Sequence, residues 1–157
     1  MRKILLTAIV VLAAAPAFAQ LPNPYGPSIG ADEAKKIAAL SVAEAKKNNF
    51  KMAIAVVDIS GDLVYFEKMD GTQAASVQIA QDKARSAARF KRPTKALQDA
   101  LAAGGAGLRM LALEGAVPVE GGLPIIVDGK IVGAIGASGG TSEQDGQTAK
   151  AGADSVR

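Results

Sequence analysis

The chain has 157 residues, with 18 Lys+Arg and 15 Asp+Glu, and it contains no His, Cys or Trp. The missing Cys and His exclude disulfides, thiolate or imidazole metal sites and a Ser-His-Asp triad, so a metal or haem site must use oxygen, thioether or amine donors. The length suits one domain, and 49% apolar residues with 17 Gly are typical of a packed globular protein.

The first 19 residues have the pattern of a cleaved secretory signal peptide. Arg2 and Lys3 form a basic start, residues 4–15 are almost entirely apolar, and Ala17-Phe18-Ala19 has the pattern of a signal peptidase site. The apolar run is shorter than the roughly 20 residues that a membrane-spanning helix needs. We therefore expect a periplasmic or secreted protein that begins at Gln20 and does not insert into a membrane after cleavage. Cleavage removes most of the net charge of +3, so no nucleic-acid partner is expected.

The first half of the mature chain predicts an arm, two long helices separated by a β-hairpin, and a short helix. Residues 20–28 hold three prolines and predict an extended, disordered arm ahead of the domain. Beyond the arm, apolar residues at helical spacing alternate with runs of β-branched residues between turn signals. These patterns predict a helix over 31–48, a β-hairpin with strands over 52–57 and 63–66, a helix over 76–91, and a short helix over 94–102 that Thr94 caps.

The second half of the chain predicts a further hairpin and a last helix. A flexible glycine-rich loop is expected at 104–107, and residues 108–119 are apolar but interrupted, so they could form a strand or a helix. Asp128-Gly129 predicts a hairpin within 125–136, and a helix is expected over 142–153. The order helix, hairpin, helices, hairpin, helix favours an α+β fold, a single domain in which helices cover an antiparallel sheet.

A set of short motifs in the mature chain resembles a known family. The motifs are Met69-Asp70-Gly71, Lys83-Ala84-Arg85 with Phe90 and Arg92-Pro93-Thr94, Gly121-Gly122-Leu123-Pro124, and the run Gly133 to Gly140 followed by Glu143-Gln144-Asp145. With them the chain resembles the GlcG/HbpS haem-binding family, and 29–157 is expected to be one GlcG/HbpS-like domain. The resemblance implies a PAS- or profilin-like antiparallel sheet flanked by helices, and assembly into homo-oligomers.

The resemblance also implies a ligand and a type of partner. Some members bind haem, and extracellular members sense haem together with a membrane kinase. A related domain forms the C-terminal part of some corrinoid adenosyltransferases. The present chain departs from the pattern because it has no counterpart of the His that some relatives use as a haem ligand.

Tyr65 and Met69 are the candidate haem-binding pair, with Tyr65 as a possible ligand of the iron. They lie four residues apart, in the segment that runs from the second strand of the first hairpin into the loop after it. Strand alternation divides this strand into two faces, with Leu63, Tyr65 and Glu67 on one and Val64 and Phe66 on the other. The alternative is structural, in which Tyr65 is a half-buried sheet aromatic and Met69 fills a gap under a helix.

A basic stripe is predicted on the second helix. Arg85, Arg89 and Arg92 follow the spacing i, i+4, i+7 and could bind haem propionates or the carboxylates of a small acid. Alternatively, they form a solvated face that pairs with acids such as Asp82. Lys83 lies off the stripe among alanines and is the more probable pocket residue of the helix.

Two glycine-rich segments could present backbone N–H groups to an anion. They are the Gly121-Gly122 loop and the run from Gly136 to Gly140, which opens the last helix. The alternative is that these glycines permit tight turns and close packing. Glu143 and Asp145 are two residues apart on a helix, about 200° of rotation, so they make a poor catalytic carboxylate pair.

The predicted function is an exported haem- or tetrapyrrole-binding protein that carries, buffers or senses its ligand without turnover. Two alternatives stay open. One is a metal-free enzyme or binder for a small carboxylic acid, with Lys83 as base or electrostatic group and the glycine loops as anion donors. The other is an oligomeric partner of a membrane sensor protein such as a sensor kinase.

Overall fold

The computed structural model describes residues 22–156, so the signal peptide predicted over 1–19 lies outside the described residues. The helices are α1 (Ala31–Lys47), α2 (Ser76–Phe90), α3 (Thr94–Ala102) and α4 (Ser142–Ala153), with a 3₁₀-helix over Gly105–Ala112. The strands are β1 (Ala53–Val57), β2 (Leu63–Lys68), β3 (Gly122–Val127) and β4 (Lys130–Ser138). The predicted helices and hairpins are all present, and the α+β class is confirmed. No helix in this part of the chain is long and apolar enough to cross a membrane.

The four strands form one antiparallel sheet in the order β2-β1-β4-β3. β1 lies inside the sheet, and all five of its residues are buried because helices cover both faces. Ile54 and Val56 pack in the core beneath α1 and α4, whereas Ala53, Ala55 and Val57 pack beneath α2. This is the antiparallel sheet flanked by helices that the sequence predicts.

β2 departs from the expected alternation of faces because its pairing with β1 shifts between Val56 and Val57. Tyr65 lies opposite Val56 and packs on the α1 side. Leu63 lies opposite Val57, on the α2 side, and Val64 packs against the α1 core. The prediction that Leu63 shares the face of Tyr65, with Val64 on the other face, is therefore wrong. A β-bulge adds one residue to the strand and reverses the alternation beyond it.

α2 lies close to the sheet because small residues meet along the contact. Ala80, Ala84 and Ala87 are fully buried on the helix. Beneath them, a Cβ added at Gly136 of β4 would come 2.1 Å from the carbonyl oxygen of Ala80. The alanine-rich helix and the glycine of the strand are thus complementary, and together they set the distance between the two elements.

α3 does not use the cap that the sequence predicts. Pro93 precedes the helix without a side-chain capping bond, and Thr94 is the first helical residue. The Thr94 Oγ1 instead accepts a hydrogen bond of 2.9 Å from the N–H of Gly122. The cap prediction is wrong because this hydroxyl joins the start of α3 to the start of β3.

The chain between α3 and β3 contains a 3₁₀-helix followed by irregular structure. Gly104 and Gly105 have positive φ and lead from α3 into the 3₁₀-helix. The loop expected over 104–107 is therefore mostly part of this helix, which begins at Gly105. None of the residues of this helix is buried, and 71% of the Leu111 surface is exposed. The segment therefore leaves an apolar surface uncovered by the rest of the domain.

The N-terminal arm is extended, as predicted, but it is bound to the domain rather than disordered. The backbone N–H groups of Gly26 and Ile29 donate hydrogen bonds of 2.8 Å to the carbonyl oxygens of Ile131 and Val132 in β4. The Tyr25 hydroxyl donates a bond of 2.9 Å to the carbonyl oxygen of Ala88 in α2. The arm is ordered because β4 extends past its pairing with β1 and offers unpaired backbone groups there.

Candidate functional site

An open cleft of about 720 Å³ lies beside the start of α1, and we call it the α1 cleft. Its walls are mostly aliphatic side chains from the arm, α1, the β3–β4 hairpin and the end of the chain: Pro27, Ile29, Ile37, Ile125, Val127, Val132 and Val156. Its polar lining residues are Ser28, Glu33, Asp128, Lys130 and Ser155. The volume and the apolar walls with few polar groups are those of a small-molecule site.

The arm and a glycine of β4 shape this cleft. The backbone bond from Ile29 to Val132 holds the arm against the strand just before α1 begins. A Cβ added at Gly133 would lie 2.8 Å from the Ile29 side chain and 2.4 Å from the Val57 carbonyl oxygen. Gly133 therefore leaves the space in which Ile29 reaches the core and forms one wall of the cleft.

Two features at the edge of the α1 cleft can contact an anionic group, although the cleft also carries two carboxylates. No side chain hydrogen-bonds the first turn of α1, whose N-cap is Gly30, but Asp32 and Glu33 in that turn already offset part of the helix dipole. Lys130 is exposed at the edge of the cleft and adds a positive charge. The cleft can therefore bury an apolar body and contact a carboxylate at its opening, although Glu33 and Asp128 oppose a highly charged ligand.

A second groove, of about 540 Å³, adjoins the α1 cleft and shares Asp128 and Val156 with it. It runs between the end of α2 and the end of α4 and includes Lys91, Lys150 and Ile126. Ile126 and Val127 are consecutive in β3 but line different cavities, Ile126 this groove and Val127 the α1 cleft. This pair of residues allows the two cavities to be distinguished by experiment.

Neither Tyr65 nor Met69 lines the α1 cleft: Tyr65 lies within β2, and Met69 directly follows that strand. The Tyr65 hydroxyl donates a 3.1 Å bond to the Glu67 Oε2. Burial raises the pKa of the Tyr65 phenol above 10.0, and the Glu67 carboxylate raises it further. Met69 is 9% exposed and lines a separate cleft of about 300 Å³. The phenolate that would bind iron is thus disfavoured in this position.

The basic stripe of α2 contacts the protein's own backbone. Arg85 donates to the Gly61 carbonyl at 3.2 Å and pairs with Asp82 at 3.0 Å. Arg89 donates to the Ser60 carbonyl at 2.8 Å. These two arginines hold the β1–β2 turn, where Gly61 has a φ of +88° that favours glycine. Arg92 follows the helix, is exposed, and donates to the Phe90 carbonyl at 3.0 Å.

Lys83 forms a buried ion pair and does not line the α1 cleft. Its side chain is 1% exposed, and its Nζ lies 2.7 Å from the Asp145 Oδ2 and 3.3 Å from the Ala137 carbonyl oxygen. The other carboxylate oxygen of Asp145 accepts the N–H of Gly140 at 3.0 Å. Burial raises the pKa of the Asp145 carboxyl, and the Lys83 ammonium and the Gly140 amide oppose this rise.

Gly121 and Gly122 lie directly over this ion pair. Gly121 has a φ of +124°, and a Cβ added there would come 2.9 Å from the Lys83 Nζ. A Cβ at Gly122 would come 2.3 Å from the Lys83 carbonyl oxygen. The backbone N–H of Gly122 already donates a hydrogen bond to the Thr94 Oγ1. Both glycines are thus required for close packing over Lys83, and the Gly122 amide is not free to bind an anion.

Of the predicted site residues, the structure brings together Lys83, Gly121 and Gly122. Tyr65 and Met69 lie apart from these three, in and directly after β2, and Arg85 contacts the β1–β2 turn. Sequence reasoning missed Asp145 as the partner of Lys83, although a lysine among buried alanines requires an opposite charge. It also missed the α1 cleft, because only the fold brings together the arm, α1, the β3–β4 hairpin and the end of the chain. Within residues 22–156 no cluster of three acidic side chains is placed to hold a metal ion.

Known proteins resemble this chain over most of its length. The family described as "Haem degrading protein HbpS-like" matches residues 29–154. Protein GlcG of Escherichia coli strain K12 is 41% identical over 105 residues, which cover 67% of this chain and 77% of GlcG.

Solved structures resemble the fold described above. A double mutant of Streptomyces reticuli HbpS matches with a TM-score of 0.77 and 28% identity, over 96% of this chain and 99% of that chain. A PduOC:haem complex matches with a TM-score of 0.74 and 23% identity, over 83% of this chain and 96% of that chain. At that identity the second likeness concerns the fold alone.

Proposed function

The chain belongs to the HbpS-like family, and from this we propose that it binds haem or a related tetrapyrrole in the α1 cleft. The observation that carries the proposal is a cleft of about 720 Å³ with mostly aliphatic walls, beside the uncapped first turn of α1 and the exposed Lys130. A tetrapyrrole presents an apolar ring and peripheral carboxylates, which match these two features.

The residues present fit the ring of haem but offer its iron no common ligand. Aliphatic side chains such as Ile37 and Val132 would contact the ring, and Lys130 with the start of α1 would contact a carboxylate. His, Cys, Met and Tyr are the side chains that usually hold haem iron, and none of them lines the α1 cleft. The proposal therefore concerns the porphyrin and its carboxylates.

We propose binding without turnover, for carriage, buffering or sensing. The buried amine of the domain, Lys83, is neutralised by Asp145 and lies outside the cleft, so it is poorly placed to act as a base. The same pairing removes support from the alternative of a metal-free enzyme acting on a small acid through Lys83.

We further propose that the protein is exported to the periplasm or the medium. There it forms a homo-oligomer, and its partner is a membrane sensor protein such as a kinase. The leader pattern of residues 1–19 supports export. The exposed leucines of the 3₁₀-helix support a protein partner, which includes a second copy of the chain.

Absorption titration with haemin tests the proposed function and its location. We expect a saturable Soret shift for the purified protein with a Kd in the micromolar range or below. Val127→Gln should weaken binding about tenfold because it places an amide in the apolar wall of the α1 cleft. Ile126→Gln, the adjacent change in the other groove, should leave the Kd unchanged within about twofold.

The outcomes separate three cases. A Soret shift no larger than that of an unrelated control protein would refute tetrapyrrole binding. Weaker binding by Ile126→Gln alone would place the ligand in the groove between the ends of α2 and α4. Steady loss of the Soret band in the bound state, faster than for free haemin, would contradict binding without turnover.

A further inference from the structure

We infer that the α1 cleft recognises the porphyrin ring and its carboxylates but not the metal, so that metal-free porphyrin binds as tightly as haem. This inference rests on the proposed function and names its ligand class more closely. It follows from where the possible iron ligands of this chain lie.

Both tyrosines are held by other contacts. The Tyr25 hydroxyl donates to the Ala88 carbonyl at 2.9 Å, on the α2 side of the sheet, away from the α1 cleft. The Tyr65 hydroxyl donates to Glu67 at 3.1 Å near the end of β2. Neither tyrosine lines the cleft. A phenol that reached the iron would have to break its present hydrogen bond and leave its strand or arm.

The methionines of the described residues also lie outside the lining of the cleft. Met52 is fully buried in the core, and Met69 lies at the end of β2. Met110 belongs to the 3₁₀-helix that follows α3. None of the three lines the α1 cleft, and the chain has neither His nor Cys. Thioether, imidazole and thiolate ligation are therefore not offered by this cleft.

The polar side chains that do line the cleft are oxygen donors and one amine, Lys130, which is exposed at the opening and which the proposed function assigns to a carboxylate of the ring. Glu33 is bonded to Lys36 at 3.2 Å, and Asp128 is exposed at the hairpin turn. Ser28 and Ser155 supply neutral hydroxyls, which are weak iron ligands. Because the remaining walls are aliphatic, burial of the ring surface supplies most of the binding free energy, and that contribution does not depend on the metal.

Parallel titrations of the purified protein with haemin, zinc protoporphyrin IX and metal-free protoporphyrin IX test the inference. We expect three dissociation constants within about threefold of one another, measured from porphyrin absorption and, for the last two, fluorescence. Val127→Gln should weaken all three by the same factor, and Ile126→Gln should weaken none. Added cyanide should bind the iron of protein-bound haem without changing the dissociation constant of the porphyrin, because no protein side chain has to be displaced from the iron.

Haemin binding at least tenfold tighter than metal-free porphyrin would overturn the inference and leave the proposed function standing. A change in the haem spectrum on Tyr65→Phe or Met69→Leu would overturn it as well, since it would identify a protein ligand. Failure of all three porphyrins to bind would overturn the proposed function and the inference together.

Discussion

Lys83 and Asp145 carry opposite charges at a place where neither is hydrated, since their side chains are 1% and 5% exposed. Their attraction and their bonds to Ala137 and Gly140 offset the loss of hydration. Removal of one partner leaves an unpaired buried charge, whereas replacement of both by apolar groups avoids the desolvation cost. The stability of α2 and α4 against β4 therefore depends on the two residues as a pair.

Lys83→Met alone should lower the free energy of unfolding by about 3 to 5 kcal/mol, because Asp145 is left buried without its cation. The double change Lys83→Met/Asp145→Leu should recover most of this loss. Urea unfolding of the wild type, the two single variants and the double variant gives the coupling energy. A single variant that loses less than about 1 kcal/mol would contradict the buried pair.

The surroundings of single residues show which features of the candidate site could be predicted from the sequence. That Lys83 is a packed residue was predictable from the alanines around it, but its partner lies 62 positions away on α4. The environment of Tyr65 depends on Glu67 and on the nearby bulge in β2. Such contacts arise from register and from distant segments, which local periodicity does not encode.

Between elements, the contact of α2 with β4 depends on backbone proximity. Gly136 lies beneath Ala80, and the absence of a side chain allows the helix to approach the strand. The alanines of α2 are visible in the sequence, and they suit a helix that lies close to a sheet. Which glycine meets them was not predictable, because this depends on the strand order β2-β1-β4-β3.

Gly136→Ala should destabilise the protein by about 3 kcal/mol, since its Cβ would lie 2.1 Å from the Ala80 carbonyl oxygen and force the helix away. Gly30→Ala is the matched control, because no atom lies within 4 Å of a Cβ there. Thermal unfolding should show a large fall in Tm for the first variant and little change for the second. Equal effects of both variants would refute the close contact.

In the molecule as a whole, the apolar surface of the 3₁₀-helix is not covered by the domain. Leu108 and Leu111 are exposed there, and Leu113 follows them. Neighbouring exposed leucines are uncommon on monomers and typical of association surfaces. The proposed homo-oligomer would bury this surface.

Leu111→Glu should reduce the molar mass measured by light scattering toward that of one chain, because a carboxylate would be buried in the contact. Leu40→Glu changes another leucine, 47% exposed on α1, and should leave the mass unchanged. A wild-type protein that is monomeric at tens of micromolar would contradict the proposed assembly. A mass unaffected by Leu111→Glu would move the contact to another surface.

Composition and local pattern alone decided the possible chemistry and the elements of this protein. The absence of His and Cys limits the metal ligands in any conformation, and the periodicity of apolar residues with turns such as Asp128-Gly129 specifies helices and hairpins through contacts near in sequence. Only the tertiary structure decided the α1 cleft and the Lys83–Asp145 pair. Both join segments far apart in the chain, so they depend on the strand order and, for the cleft, on the docked arm.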